Sequence, residues 1–305
     1  MWFRNLTLFR FSKSSAKSLK TLEAKLDNHR LRPCGPIELA TQGFISPYGR
    51  DEETMLHEVG HFRLLTSARE DKLLPSSVVN EELRARLQKI AEKEGRPVRS
   101  KERKRLKDEV LTDLLPRAFV RLSKLSAYLD TENGWMAIDT ASRKAAEGSV
   151  SLLREALGTF PAAPLAAEES PKALMTDWLA RGKLPAGLAL SDECELRDSA
   201  EAGAIVRCRR QDLETDEIRE HLKSGKQVSQ LGLVFNERLS FTLDEELVVR
   251  KLRFLDLVQN ELGDVDRESA AAELDACFAL MTLELDQLFQ RLEEWFGLPR
   301  PMDRG

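Results

Sequence analysis

Five consecutive residues, His57-Glu58-Val59-Gly60-His61, have the spacing of a zinc hydrolase. On a helix, histidines four apart share one face and can hold Zn²⁺ between them, with the glutamate placed as general base. The neighbouring sequence opposes that geometry. Gly60 and the strand-like stretch Phe62 to Ser67 deny the motif its helix, and no histidine stands six positions after His61 to complete a ligand set. The other histidines are His29 and His221, and no pattern singles out a carboxylate such as Glu70. A zinc peptidase is therefore the weakest reading, and the pair is expected as loop or strand histidines. Gly182-Lys183 and Gly225-Lys226 lack the glycine-rich approach and the following Ser or Thr of a phosphate-binding loop. Neither a GxSxG elbow nor a dinucleotide fingerprint is present. The expectation is a protein with no enzymatic activity, no metal and no cofactor.

Basic side chains offer a different chemistry. Arg96, Arg99, Lys101, Arg103, Lys104, Arg105 and Lys107 crowd twelve positions, with Glu102 as the one acid inside them, and Arg117, Arg121 and Lys124 continue beyond Pro116. Cations at this density attract a polyanion by releasing its condensed counterions, which ignores base sequence. A second group is Arg207-Cys208-Arg209-Arg210. On a strand, alternation sends Arg207 and Arg209 to one face and Val206 and Cys208 to the other. Gln211 follows at the tip, and Lys226 lies beyond a short helix. Guanidinium forks and a terminal amide suit phosphate oxygens. The competing expectations are a solvated helix face for the first group and local salt bridges to Asp212 and Glu214 for the second. No helix-turn-helix, zinc finger or aromatic base-stacking surface accompanies them. Any nucleic acid would be held by its backbone.

The elements that must carry these residues can be read from periodicity. Phe3, Leu6, Leu8, Phe9 and Phe11 suggest an opening strand, and Leu19, Leu22 and Leu26 a helix over 16–26. Gly43 to Gly49 reads as loop and Phe62 to Ser67 as strand. Val79, Leu83, Leu87 and Ile90 recur at helical spacing until Gly95-Arg96-Pro97. Ser100 is expected to cap a helix whose first half, Lys101 to Arg105, has no apolar residue and must project as a cationic ridge. Phe119 to Leu129 and Trp135 to Asp139 read as strands joined at Asn133-Gly134, followed by a helix from Ser142 to Leu157. Ala204 to Arg210 is a short strand, and Thr215 caps a helix with Asp216 and Glu217 in its first turn. Leu231/Leu233/Phe235, Leu239/Phe241/Leu243 and Val248/Leu252/Phe254 describe an antiparallel meander with one buried face. Leu274, Phe278, Met281, Leu285, Leu288, Leu292 and Trp295 form a heptad stripe. It is expected as a helix docked on its own domain, with packing against a partner chain as the alternative.

Three segments follow: an α+β unit over 1–165 with a basic helical hairpin at about 78–115, an α+β finger over 166–255, and an acidic helical region over 256–305. The boundary near 161–171 rests on its small residues. Composition agrees with a folded chain: of 305 residues, 42% are hydrophobic and 32% charged. The net charge of −4 hides segregation, because residues 256–305 carry −8 and residues 96–124 carry +6. Cys34, Cys194, Cys208 and Cys277 are scattered without a CxxC spacing, so neither a disulfide framework nor a thiolate zinc site is expected. No run is long enough to span a membrane and the opening lacks the apolar core of a secretion signal, so a cytoplasmic location is expected.

Several segments together resemble the bacterial RdgC family over about 280 residues. They are Met1-Trp2-Phe3-Arg4-Asn5-Leu6, Pro33-Cys34-Gly35, Leu106-Lys107-Asp108-Glu109-Val110-Leu111, Leu115-Pro116-Arg117-Ala118-Phe119, Gln211-Asp212-Leu213, Asp264-Val265-Asp266-Arg267-Glu268 and Leu280-Met281-Thr282. The resemblance implies an α+β subunit in a ring-shaped homodimer that encircles duplex DNA with little sequence preference. It also implies association with the nucleoid and restraint of the RecA recombinase by occupancy of DNA; whether single-stranded DNA binds as well the sequence leaves open. By the same resemblance Phe119 belongs to dimer contacts, Arg210 and Gln211 to the tip of a DNA-facing finger, and Lys226 to the same region. The His57–His61 motif has no counterpart in that pattern. The rival to DNA occupancy is a protein-interaction module that acts on the recombinase directly through the acidic C-terminal helices.

Overall fold

Alternating side chains commit the chain to two antiparallel sheets. A computed structural model describes residues 2–12, 14–15, 19–50, 52–198, 203–263 and 269–301. The first sheet contains β1 (Thr7–Arg10), β2 (Ala40–Ile45), β3 (His57–Val59), β4 (Phe62–Leu73), β5 (Phe119–Asp130), β6 (Trp135–Ile138) and β7 (Ala163–Pro164). Their order is β2-β4-β5-β6-β1-β7, with β3 also paired to β4. The second contains β8 (Leu188–Arg197), β9 (Ile205–Arg209), β10 (Gln227–Phe235), β11 (Leu239–Asp244) and β12 (Val249–Phe254), in the order β12-β11-β10-β8-β9. The helices are α1 (Leu22–Asp27), α2 (Ser76–Glu94), α3 (Ser100–Leu114), α4 (Arg143–Leu157), α5 (Pro171–Arg181), α6 (Asp216–Lys223), α7 (Asp256–Glu261) and α8 (Ala270–Phe296). The α+β expectation holds, with antiparallel pairing in every ladder between these strands. No described helix is long and apolar enough to cross a membrane.

Helix α8 lies between the sheets. Leu274, Phe278, Met281, Leu285, Leu288 and Leu292 are buried, and Trp295 packs half-buried against Trp178 and Phe235. One hydrophobic cluster joins this stripe to Leu8, Phe62, Leu64 and Tyr128 of the first sheet and to Leu231, Leu233, Phe241 and Leu243 of the second. Each large apolar side chain so buried is worth about 1.5–3 kcal/mol. Releasing α8 to a partner would therefore cost on the order of 10 kcal/mol, which favours the self-docked helix. On the other face of the first sheet, α1 and α4 close a second cluster around Phe9, Phe44, Leu129 and Leu153. The segments 1–165, 166–255 and 256–305 all contribute to the first cluster. The chain also stitches the sheets together before β1, where the Leu6 and Val249 amides each donate to the other's carbonyl at 2.7 and 3.0 Å.

Local chemistry explains several boundaries. The β5–β6 turn forms because Asp130 Oδ1 accepts from the Glu132 and Asn133 amides, and Gly134 takes a φ of +75°. Ser142 caps α4 and Ser269 caps α8, each hydroxyl accepting an amide three residues on.

Six readings need correction. Residues 43–45, expected as loop, belong to β2, and β4 runs twelve residues, well past Ser67. Ser100 lies inside α3 rather than capping it, and Thr215 precedes α6 without a side-chain cap bond. Val249 is buried beside Val248, and an extra residue, Lys251 at φ +53°, bulges β12 so that Leu252 and Phe254 still face inward. Of the helix expected over 16–26, a 3₁₀ turn (Leu19–Thr21) and α1 are observed, while Ala16, Lys17 and Ser18 lie outside the described residues, as do residues 264–268.

Candidate nucleic-acid interface

The basic hairpin is built as its sequence demands. Val79 and Leu83 of α2 meet Leu106 and Val110 of α3, a narrow seam that leaves the rest of both helices in solvent. Arg86 staples the pair by bonding Glu82 within α2 and Asp113 on α3 at 3.0 and 2.9 Å. Gly95, at φ +63°, ends α2 and turns the chain. Arg99, Lys101, Arg103, Lys104 and Lys107 are exposed and form no ion pair among the described residues. Arg96 instead is clamped by Glu94 and Glu102 at 2.5 and 3.0 Å, and Arg105 pairs with Glu109 at 3.2 Å. Arg96, Arg99, Lys101, Lys104 and Arg105 line an open depression. Neutralisation thus reaches two of the candidates and leaves the ridge strongly positive.

Beyond α3 the chain enters β5 at an edge exposed on both faces. Arg117 and Arg121 are exposed and without ion pairs among the described residues, and Phe119 between them is 83% exposed. Phe119 stands opposite Leu73, itself 43% exposed, with Val120 and Leu39 exposed nearby. It is no part of the core, so burial within the subunit does not account for it.

The second group sits on edge strand β9. Arg207 and Arg209 point outward and Cys208 inward, the alternation expected. The expected neutralising acids, Asp212 and Glu214, do not hold them. Arg207 instead donates to Glu195 at 2.6 Å, and Glu195 also receives Arg197 at 2.8 Å and Ser229 at 3.0 Å. Burial alone would raise the Glu195 carboxyl, but these donors outweigh it and hold it below its ordinary value. Glu193 is held below its ordinary value against the same burial effect by Lys251 and Thr242. Arg209 lies opposite Glu193 without an ion pair of its own among the described residues. Arg210 takes a left-handed φ of +53° and is exposed. Gln211 follows, its amide tied to the Asp192 carbonyl at 3.2 Å and its side chain donating to Glu217 at 3.1 Å.

Lys226 is not beside this tip. Gln227 pairs with Arg197 at one end of β8, whereas Gln211 meets Asp192 in its middle, a separation of about 17 Å at strand rise. Its ammonium bonds Ser224 Oγ at 3.1 Å. The structure therefore assembles Arg207, Arg209, Arg210 and Gln211 on the second sheet and mounts the hairpin cations on the far end of the first. Glu193, Glu195 and Arg197 are the residues sequence reasoning missed. Their signal is the alternation Glu193-Cys194-Glu195-Leu196-Arg197, a strand pattern.

The HExxH residues are strand and turn. His57 is in β3, Gly60 turns at φ +58°, and His61 precedes β4. His57 Nδ1 meets the Tyr48 hydroxyl at 2.6 Å and its Nε2 faces Asp275 at 3.5 Å, while His61 faces Asp130 and Glu132. Glu58 pairs with Arg63 at 3.0 Å. The imidazoles serve separate partners, and no three His, Cys, Asp or Glu side chains among the described residues converge to hold a metal ion.

Two cationic ridges on a two-sheet α+β scaffold define a protein with a surface suited to polyanions. Comparison with known proteins gives that class a family. A family model described as "RdgC: Putative exonuclease, RdgC" matches residues 1–298. The Recombination-associated protein RdgC of Xylella fastidiosa (strain M12) is 50% identical over 294 residues, covering 96% of this chain and 97% of that one. The protein of the same name from Xanthomonas campestris pv. campestris (strain B100) is 49% identical over 301 residues, covering 98% and 99%. The chain belongs to the RdgC family.

Proposed function

We propose that this protein binds duplex DNA through its backbone, without reading sequence, and acts in recombination by occupying DNA that the RecA recombinase would otherwise load upon. The observation that carries the reading is the set of exposed cations without acidic partners among the described residues: Arg99, Lys101, Arg103, Lys104, Lys107, Arg117 and Arg121 on the hairpin and β5, and Arg209 and Arg210 at the finger. Phosphate contacts of this kind position a protein without carrying sequence information. The name of the relatives, recombination-associated protein, supplies the link to recombination.

The working form is a homodimer closed into a ring around the duplex and concentrated at the nucleoid. A closed ring of two subunits needs two self-complementary contacts. The exposed Phe119, Leu73, Val120 and Leu39 supply an apolar patch for one of them. Direct action on the recombinase through the acidic C-terminal helices has less support, because Glu284 and Glu293 are committed to Arg238 and Arg10.

Retention on DNA tests the reading. A ring should stay on closed circular duplex through a salt wash that strips it from linear duplex, and its sedimenting mass should be that of two chains. Equal loss from both DNAs would remove encirclement, and failure to bind either would remove the reading itself.

A further inference from the structure

Cys194 and Cys208 stand directly opposite one another across the β8–β9 ladder, both buried and both free thiols. Directly opposed residues of antiparallel strands hold their Cβ atoms about 4.5–5.5 Å apart, and a disulfide needs about 3.8 Å. Closing the pair asks for movement on the order of an ångström. Strand β9 can supply it, being a five-residue edge strand paired on one side only. The neighbouring rungs of the ladder are Glu193–Arg209 and Glu195–Arg207, so whatever fixes this rung also fixes the outward cations beside it.

We propose that Cys194 and Cys208 are a reversible dithiol–disulfide pair which, when oxidised, pins edge strand β9 and the arginines it carries. The oxidant is a low-molecular-weight disulfide. One cysteine thiolate attacks it, forming a mixed disulfide and releasing one small thiol. The second cysteine sulfur then attacks the mixed disulfide at the protein sulfur and releases the other small thiol. Two electrons pass from the protein sulfurs to the oxidant, and the two protons leave on its thiols. Burial pushes the Cys194 thiol up to about 12, so reaction at neutral pH proceeds through transient openings of the edge strand. Disulfides that require such closure are the labile kind that a reductant reverses.

The consequence for DNA rests on the function proposed above, and the experiment separates the two. The full chain is incubated with oxidised glutathione, alkylated without reduction, digested and analysed by mass spectrometry. The expected product is a Cys194–Cys208 linked peptide pair, lost on adding dithiothreitol, with Cys34 and Cys277 outside the linkage. C208S should trap a glutathione adduct on Cys194, and C194A/C208A should show no linkage. Both cysteines remaining alkylatable thiols in wild type, even when low urea opens the edge, would overturn the pair. In parallel, duplex affinity of oxidised and reduced wild type is compared by fluorescence anisotropy, with R209E/R210E as control. Pre-ordering an arginine should tighten binding by about threefold or more. Equal affinities, with R209E/R210E weakened, would overturn the coupling. An R209E/R210E variant that binds normally would instead overturn the finger as a DNA contact and leave the disulfide result standing.

Discussion

Replacing Glu195 by glutamine should make the protein bind DNA more tightly. The carboxylate accepts one bond each from Arg197, Arg207 and Ser229, so it cancels one of the two positive charges beside it. E195Q removes that negative charge, frees Arg207 to turn toward a phosphate and keeps one acceptor oxygen in the same place. With a salt slope of about 0.9 per phosphate, one added contact at 0.1 M salt is worth up to about eightfold in affinity. The cost falls on stability. Charge-assisted bonds are worth about 1.5–3 kcal/mol each when buried, but Arg197 and Arg207 are 43% and 58% exposed, so solvent reduces the loss to about 1 kcal/mol. Fluorescence anisotropy with a duplex of arbitrary sequence, at three salt concentrations, reads the affinity and its slope. Urea unfolding reads the stability. Unchanged affinity and slope in a folded E195Q protein would show that the outer face of β8–β9 does not meet DNA.

Further expectations follow from the same geometry. Because Glu195 and Glu193 are held below their ordinary 4.5, their stabilisation is complete above that value and is lost as pH falls through their lower folded values. Urea midpoints of wild type should therefore fall more steeply below about pH 4.5 than those of E195Q. Phe119→Ser should abolish retention on closed circular duplex while leaving the free energy of unfolding within about 0.5 kcal/mol of wild type, since the phenyl group is almost wholly in solvent; a large stability loss would instead assign Phe119 to the core. Gly43→Ala should destabilise by about 1–3 kcal/mol, because a Cβ there would lie 2.5 Å from the Leu31 nitrogen and 2.6 Å from its Cα.

What was legible in the sequence was whatever a short-range pattern controls. The alternation of Leu231, Leu233 and Phe235 named a buried sheet face, the 3.6-residue recurrence of Val79 and Leu83 named α2, and Asn133-Gly134 named the β5–β6 turn. The heptad stripe of α8 named the helix but not its place, because an apolar stripe says nothing of whether a sheet or a second chain covers it. The Lys251 bulge escaped because a left-handed lysine leaves no compositional mark. At the candidate site, the density of lysine and arginine marked the ridge and strand alternation placed Arg207 outward. Charge pairing was not legible. Asp212 and Glu214 are near Arg207 in sequence, but the ladder brings Glu195 to it from twelve positions away. The distance between Gln211 and Lys226 was hidden for the same reason, since strand register rather than chain proximity sets it.

The central claim is that these cations grip the DNA backbone and ignore its bases, and the salt dependence of duplex binding tests it most directly. If about six phosphates are engaged, affinity should fall by about 10³ between 50 and 200 mM salt, equally for scrambled sequences, and R209E/R210E should flatten the slope. A response to salt that is nearly flat, or an affinity that changes with sequence at constant salt, would contradict the account.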